Sequence, residues 1–362
     1  MALNLRRETD CQLDLVSLGE CMLRLSPPPH ERIEFAKSLE VHVGGGEYNV
    51  AYALARLGLR TGWVGGLNTS PMGSIIANHA RSAGVDLTHA VVRDYDGIGA
   101  RNRVGLNFTE VGHGQRAAVT LYDRGHSATA SIKPDEVDWE ELFVKRGVRW
   151  LHTGGIYAAL TEETRATVAA AVKAAHHAGT IVSYDLNFRS KLWSSEEAIA
   201  TTKPLVPFID CLIGNEEDFA AVLGYHVEGV DIESTEDLDT AAFKAMVNQV
   251  VADYPNIKVV GTTLRGVKTA LINDWSAILW HDGTFYDGLD LPRLEIKDRV
   301  GGGDGFASGF AYGFLTGRDP QQCVDLGVAH GALIMSTTGD TSQLTKAELE
   351  HVAKGGSARI KR

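Results

Sequence analysis

Two glycine-rich stretches contain the residues of this 362-residue chain whose types and spacing could do chemistry. The second, DRVGGGDGFASGFAYGF at 298–314, places Asp304 after three glycines and before an apolar helical pattern. Each glycine costs a helix roughly 1 kcal/mol relative to alanine, so the run must provide something else. A helix start exposes unpaired N–H groups and partial positive charge, which glycines let a phosphate approach. This predicts an anion hole at Gly301, Gly302 and Gly303, with Asp304 as general base; a capping aspartate without chemistry is the alternative.

The first stretch, VGGGEYNVAYALARLG at 43–58, again sets glycines before a helix. A turn made for packing needs one or two glycines, so three indicate a ligand lying against the backbone. Asn49, one turn into the helix, can donate to and accept from the hydroxyls of a sugar. We therefore expect this stretch to bind a small polar substrate.

Composition excludes several classes of protein. Apolar residues make up 44% and charged residues 22%, as in ordinary globular proteins, and the net charge of −11 argues against nucleic acid or an anionic membrane as partners. The first residues lack a signal-peptide pattern and no apolar run could span a bilayer, which predicts a cytoplasmic protein with reduced cysteines. The chain lacks the Walker phosphate loop, G-x-G-x-x-G, H-E-x-x-H and G-x-S-x-G.

Strand and helix patterns alternate along most of the chain, which predicts parallel βαβ units in an α/β fold. The stretch DLVSLGECMLRL is interpreted as one opening strand, and DPQQCVDLGVAHGALIMSTTG as a helix. Residues 97–123 break the alternation with β patterning and turn glycines but no helix. We interpret them as a β lid or a dimer contact; a plain edge extension of the sheet is the alternative.

Taken together, GGGEYNVAYALARLG and DRVGGGDGFASGF resemble the two signatures of the ribokinase-like (PfkB) carbohydrate kinases. The stretches GECMLRLSPP, DLNFRSKLW and LYDRGHSA are most similar to those of 2-keto-3-deoxygluconate kinases. The resemblance implies one three-layer αβα domain over residues 1–362, with a mostly parallel central sheet and the small β lid at 97–123. It also implies transfer of phosphate from ATP to a sugar hydroxyl with Mg²⁺, a homodimer formed through the lid, and room for a monovalent cation.

The resemblance assigns roles by position. Asp304 corresponds to the catalytic base and Gly301–Gly303 to the anion hole. The residues implied in substrate binding are Gly45, Gly46, Asn49, Asn107, Tyr122, Arg124 and Arg189, of which Arg189 corresponds to an arginine that faces a substrate carboxylate. Those implied in ATP binding are Asn215, Thr263, Arg265, Gly266, Gly331 and Ser336. Glu216 and Glu217, in the NEED segment, correspond to acids that hold Mg²⁺ indirectly, through water.

The chain departs from the family pattern at three places. Asp218 stands where the family usually has a glutamate, and Gly305 replaces the usual alanine or serine. Asn107 and Thr109 stand where 2-keto-3-deoxygluconate kinases often carry a tyrosine and an arginine. The resemblance implies 2-keto-3-deoxygluconate, phosphorylated to the 6-phosphate, as the substrate, and these departures leave other substrates open. A kinase for a neutral sugar such as fructose or ribose, a nucleoside kinase and a catalytically silent sugar sensor stay open.

Residue-level alternatives stay open too. Arg189 could pair with a carboxylate on the next helix, and Arg124 could be a plain surface residue. The NEED segment could simply cap a helix, because acidic residues favour a first helical turn.

Overall fold

The computed structural model describes residues 3–225 and 240–356, and strands and helices alternate along it. The strands are β1 (Leu13–Leu18), β2 (Met22–Ser26), β3 (Glu40–Gly44), β4 (Thr61–Val64), β5 (Gly66–Asn68), β6 (Val91–Arg93), β7 (Gly105–Glu110), β8 (Val119–Asp123), β9 (Val148–Gly154), β10 (Ile181–Asp185), β11 (Cys211–Ile213), β12 (Val259–Thr269), β13 (Ile272–His281), β14 (Thr284–Asp287) and β15 (Leu291–Glu295). The helices are α1 (Gly46–Arg56), α2 (Pro71–Ala83), α3 (Gly155–Ala158), α4 (Glu162–His177), α5 (Ser195–Thr202), α6 (Glu216–Leu223), α7 (Thr240–Asp253), α8 (Gly302–Leu315), α9 (Pro320–Ile334) and α10 (Lys346–Ala353).

The largest sheet of the described residues has the strand order β14-β13-β12-β11-β10-β9-β1-β4, and β15 also pairs with β13. The six strands from β12 to β4 pair in parallel, whereas β13, β14 and β15 add an antiparallel edge. Helices α1, α8 and α9 contribute to one hydrophobic cluster against this sheet, and α4, α5 and α6 to the other. A parallel sheet covered on both faces needs such buried strands. The predicted three-layer αβα fold is confirmed.

The helix after the second glycine run is buried on two sides. Phe306 and Phe310 are fully buried in the core, as their helical spacing predicts. The glycines of the same helix contact α9 instead: a Cβ at Gly305 would lie 2.9 Å from Gly331 Cα, and one at Gly309 would lie 2.2 Å from the Leu326 carbonyl oxygen. The glycines along this side of α8 therefore allow α8 and α9 to pack closely together.

The interpretation of DLVSLGECMLRL as a single strand was wrong. The structure divides it into β1, in the central sheet, and β2, in a second sheet of order β3-β2-β7-β8. The chain turns at Gly19, where a Cβ would lie 2.3 Å from Glu47 Oε2. Segment 97–123 contributes β7 and β8, and the N-terminal part of the chain contributes β2 and β3. The segment is therefore part of a separate sheet, not an edge extension of the central one; its role as a lid stays a prediction.

The four cysteines, Cys11, Cys21, Cys211 and Cys323, are buried and free, which agrees with the expectation that they are reduced. Within 3–225 and 240–356, no helix is both long and apolar enough to span a membrane.

Candidate active site

The second sheet, of strands β3, β2, β7 and β8, is called the small sheet below. A cavity of about 740 Å³ lies between the small sheet and the C-terminal ends of the central strands, and both glycine-rich stretches line it. Open α/β sheets bind ligands at this edge, where loops and helix starts converge. Of the predicted site residues, those that line the cavity are Gly45, Gly46, Asn49, Asn107, Tyr122, Arg124, Arg189, Asn215, Glu217, Thr263, Arg265, Gly301, Gly302, Gly303 and Asp304. The structure thus brings together residues from most of the chain.

Asp304 lies in the first turn of α8, three residues after Gly301, which begins the helix in the left-handed conformation with φ of 85°. Its Oδ2 accepts a 2.6 Å hydrogen bond from Asn49 Nδ2. Burial, and to a lesser extent the charge of Asp340, raise the pKa of Asp304 to about 6, although the Asn49 bond and Arg189 oppose the rise. A carboxylate with this pKa is ionised at neutral pH and accepts a proton more readily than a free aspartate.

The three glycines before Asp304 differ in their surroundings. A Cβ at Gly303 would meet nothing within 4 Å, and this glycine is exposed to the cavity. A Cβ at Gly302 would lie 2.9 Å from Met335 Sδ, and one at Gly301 would lie 2.7 Å from the Asp340 carbonyl oxygen. All three glycines line the cavity, but only the α-carbon of Gly303 has room for a side chain, because those of Gly301 and Gly302 pack closely against neighbouring residues.

The first glycine stretch places Gly46 and Asn49 beside the base. A Cβ at Gly46 would lie 3.6 Å from Asp304 Oδ1. Gly45 has a different reason to be glycine, because a Cβ there would lie 2.0 Å from the carbonyl oxygen of Glu20. Its backbone N–H donates to Asn49 Oδ1 at 3.2 Å. Both polar groups of the Asn49 amide are thus bonded to protein, whereas the sequence predicted that they face a sugar.

The small sheet contributes an arginine that already has a partner. Arg124 Nη2 lies 2.5 Å from Glu20 Oε2, and its Nε donates to the same oxygen at 2.8 Å. Glu20 is 2% exposed, and its other oxygen accepts from Ser127 Oγ at 3.0 Å. The Arg124 guanidinium also lies over the Tyr122 ring, 5.2 Å from its centroid. Arg124 is therefore not a plain surface residue, and its charge is balanced within the protein.

Arg189, unlike Arg124, is not paired with a carboxylate of the described residues. It follows β10, lines the cavity and is exposed, and its guanidinium donates to the backbone oxygen of Phe188 at 2.8 Å. No carboxylate of the described residues lies within ion-pair distance of it, so the alternative that it pairs with the next helix has no support in the described residues. Its charge does lower the pKa values of the carboxyls at Asp185, Asp218 and Asp304.

The NEED segment forms the start of α6, with Asn215 as its N-cap. Asn215 Oδ1 accepts from the Asp218 N–H, and Asp218 Oδ2 accepts from the Asn215 N–H, at 2.9 and 3.0 Å. Asp218 Oδ1 accepts from the Phe188 N–H at 2.8 Å. Both carboxylate oxygens of Asp218 therefore accept hydrogen bonds from backbone N–H groups, whereas Glu217 is exposed and lines the cavity. For Glu216, the structure describes only the backbone.

On the nucleotide side, Thr263 and Arg265 line the cavity, but three other predicted residues do not. Gly266 lies on β12 opposite Asp274, Gly331 packs against α8, and the exposed Ser336 donates its hydroxyl to the Leu333 carbonyl. Partial enclosure by the cavity wall, and then the charge of Arg299, lower the pKa of Arg265 to about 10. ATP binding by these residues stays a prediction.

Sequence reasoning missed several residues that line the cavity. Asp185, at the end of β10, has a pKa raised well above its usual range by burial and by the carboxylates of Asp218 and Asp304. Burial also raises the pKa of Glu47 to about 8. Arg299 lies within the second signature, and Asp185 lies four residues before Arg189, so proximity in sequence could have identified both. The other cavity residues that were missed include Glu20 and Asp340.

Comparison with known proteins shows which family this chain resembles in sequence and in fold. The sequence profile described as pfkB family carbohydrate kinase matches residues 12–347. The chain is 34% identical over 349 residues to the 2-dehydro-3-deoxygalactonokinase of Haloferax volcanii, covering 96% of this chain and 99% of that protein. It superimposes on the crystal structure of Thermotoga maritima 2-dehydro-3-deoxygluconokinase with a TM-score of 0.87 and 38% identity, covering 95% and 100% of the two chains.

A third comparison supports the fold alone. An Escherichia coli protein assigned as a ribokinase II, solved in complex with ATP and Mg²⁺, has a TM-score of 0.74 at 16% identity, over 95% of this chain and 99% of that one. The three-layer αβα fold is that of the ribokinase-like proteins. The chain belongs to the pfkB family of carbohydrate kinases. It is a sugar kinase, and the family uses ATP.

Proposed function

We propose that this kinase phosphorylates an acidic keto-deoxy sugar, and that 2-keto-3-deoxygluconate is converted to its 6-phosphate. The observation that carries the proposal is the contrast between two cavity arginines: Arg124 is neutralised by Glu20, and Arg189 has no carboxylate at ion-pair distance among the described residues. A planar guanidinium binds a carboxylate through two parallel hydrogen bonds. The names of the Haloferax and Thermotoga relatives support an acidic substrate of this type.

The proposed reaction needs one base and one anion hole. Asp304 accepts the proton of the sugar hydroxyl as its oxygen bonds to the γ-phosphorus of ATP. The bond from that phosphorus to the oxygen bridging to ADP breaks, and ADP leaves with the electron pair. Backbone N–H groups at Gly301–Gly303 stabilise the charge that develops on the transferred phosphoryl, because phosphoryl transfer depends chiefly on positioning and electrostatics. Closure of the small sheet over the cavity excludes water.

The cavity residues fit a magnesium ion held through the nucleotide rather than by a protein cage. Within the part of the chain that the structure describes, no group of three or more acidic, histidine or cysteine side chains could hold a metal. Mg²⁺ commonly keeps several waters and binds substrate phosphates, neutralising their charge. Glu217 would hold such waters, as the sequence predicts for it and for Glu216. Thr263, Arg265 and Asn215 would contact the ATP phosphates. Room for a monovalent cation stays a prediction from the family resemblance.

A second candidate is a neutral-sugar kinase. Asn107 and Thr109 are 5% and 2% exposed, and the Thr109 hydroxyl donates to Asn107 Oδ1 at 3.2 Å, so this wall is uncharged. Such a wall suits the hydroxyls of a ketose such as fructose. A nucleoside kinase and a silent sensor remain the other sequence-based alternatives. The intact pair of Asp304 and Gly303 argues against the sensor.

An activity panel tests the proposal. ADP release is measured with 2-keto-3-deoxygluconate, 2-keto-3-deoxygalactonate, fructose, ribose and adenosine, and the product's phosphorylated carbon is located by NMR. The proposal expects the highest kcat/KM with a keto-deoxy acid and phosphate on carbon 6. A higher kcat/KM with fructose or ribose would establish the neutral-sugar candidate, and no turnover with any of them would favour the sensor.

We further propose that the small sheet pairs two copies of the chain. The two edge strands of this sheet, β8 and β3, expose Val119, Leu121 and Val41, with exposed fractions of 43%, 55% and 51%. Leu121 and Val41 lie in one cross-strand row, joined through Phe108 and Leu25. Contiguous apolar surface of this kind commonly marks a protein interface. Sedimentation at micromolar concentration should give a dimer, and Leu121→Lys should give a monomer; a monomeric wild type contradicts the proposal. A cytoplasmic location is proposed on the sequence grounds given above.

A further inference from the structure

Arg24, on β2, is a fully buried arginine whose three nitrogens all donate to side chains. Its Nη1 donates to Asp340 Oδ1 and its Nη2 to Asp298 Oδ2, each at 2.5 Å, and its Nε donates to Ser26 Oγ at 3.0 Å. Arginine is almost never fully buried unless it is paired. Two carboxylates converging on one buried guanidinium form an ion triad that joins three distant parts of the chain.

The two carboxylates belong to the segments that flank the start of α8. Asp298 Oδ1 accepts from the Val300 N–H at 3.2 Å, and Asp298 Oδ2 accepts from the Gly339 N–H at 3.4 Å. Asp340 packs its carbonyl oxygen against Gly301, where a Cβ would lie 2.7 Å from it. Arg24 therefore holds both sides of the turn from which Gly302, Gly303 and Asp304 follow.

The same arginine joins this turn to the sheet on the substrate side. Arg24 pairs in register with Asn107 on β7 and with His42 on β3. Asn107 lines the cavity, as do Met22 on β2 and Gly44 on β3. The triad thus connects the wall proposed for the sugar with the loop proposed for the phosphate.

We propose that Arg24 is a positioning residue for phosphoryl transfer: by binding Asp298 and Asp340 together it fixes the place of the anion hole and of Asp304. The inference rests on the proposed roles of Gly301–Gly303 and Asp304. Anion-hole donors act only when they lie within hydrogen-bond distance of the developing charge. A displacement of about 1 Å in such a site can lower the rate about 10²-fold.

The alternative is that the Arg24 ion triad only stabilises the fold. Another buried arginine of the chain provides a matched control for this alternative. Arg149 is 9% exposed, and its Nη1 donates to Asp14 Oδ1 and to the Leu315 carbonyl oxygen, each at 3.2 Å. It does not line the cavity. A change at Arg149 therefore breaks a buried arginine–aspartate pair without touching the turn before α8.

The test compares Arg24→Lys and Arg24→Ala with Arg149→Lys and Arg149→Ala, well below each variant's melting temperature. We expect kcat to fall by at least about 10-fold in Arg24→Lys and about 10²-fold in Arg24→Ala, with KM for sugar and ATP near wild type. The Arg149 variants should melt earlier but keep the wild-type kcat. Guanidinium chloride, below denaturing concentrations, should restore part of the kcat of Arg24→Ala and leave that of Arg149→Ala unchanged.

Wild-type kcat in either folded Arg24 variant, or equal losses at Arg24 and Arg149, would overturn the inference. Lysine at position 24 keeps a positive charge between the two aspartates, so this variant tests the geometry of the guanidinium alone. Asp304→Asn is measured in parallel. Its inactivity beside active Arg24 variants refutes only the positioning role, whereas its full activity refutes the proposed site itself.

Discussion

Asn49 Nδ2 donates to Asp304 Oδ2 at 2.6 Å, and this bond joins the two glycine-rich stretches across 255 positions of sequence. Because the bond favours the ionised carboxylate, it opposes the rise in pKa that burial causes. Asn49 itself is held by the N–H of Gly45. The first glycine stretch therefore sets the orientation and the proton affinity of the proposed base, in addition to any contact with substrate.

The first prediction concerns the base. Asp304→Asn keeps the shape of the side chain but cannot accept a proton, and general-base assistance is commonly worth about 10²–10⁴ in rate. We expect kcat to fall at least about 10²-fold while ATP binding, measured by calorimetry, persists. Near-wild-type turnover would remove Asp304 from the mechanism.

The same variant should be more stable than wild type. The folded pKa of Asp304, about 6, lies above the unfolded value of 3.8, so folding favours the protonated form. The stabilisation is fully present below pH 3.8 and is lost as the pH rises through 6. The neutral amide avoids that loss, and Asp304→Asn should therefore melt above wild type at pH 7.5. A lower melting temperature would contradict the assigned pKa shift.

The second prediction concerns pH dependence. Turnover needs ionised Asp304, so kcat/KM, which reports the free enzyme, should rise with pH through a midpoint near 6. Asn49→Ala removes the donor that stabilises the carboxylate, and the midpoint should then move to higher pH. The measurement is kcat/KM, at low concentrations of both substrates, from pH 5 to pH 9. An unchanged or lower midpoint would show that the bond does not control the proton affinity of Asp304.

Much of this site could be predicted from sequence, because its glycines and Asp304 lie within short stretches whose spacing is itself informative. The ion pairs could not. Arg124 meets Glu20 across 104 positions, and Arg24 meets Asp298 and Asp340 across 274 and 316. No local pattern specifies which carboxylate a buried arginine will find. Gly45 shows the complementary difficulty, because a close approach of the Glu20 carbonyl accounts for a glycine that the sequence attributed to a ligand.

The third prediction uses the open space at Gly303. Since a Cβ there would contact nothing within 4 Å, Gly303→Ala should fold with a melting temperature near that of wild type. The added methyl group would project into the space proposed for the phosphoryl, so kcat should fall at least about 10-fold, towards the roughly 10²–10³-fold found when one oxyanion-hole donor is lost outright. Gly125→Ala is the control, because its Cβ also has open space but Gly125 does not line the cavity. Full activity of Gly303→Ala would mean that the phosphoryl binds elsewhere.

The last prediction concerns the substrate. Removing one partner of a desolvated charge pair costs about 2–5 kcal/mol, so Arg189→Ala should lower kcat/KM for 2-keto-3-deoxygluconate about 30-fold or more. A neutral ketose has no carboxylate to lose, and its kcat/KM should change far less. Lys191→Ala is the matched control, because Lys191 is an exposed cation on the same loop that does not line the cavity. Equal losses on acidic and neutral sugars would mean that Arg189 serves the phosphates or the fold, and would make the neutral-sugar kinase the better description of this enzyme.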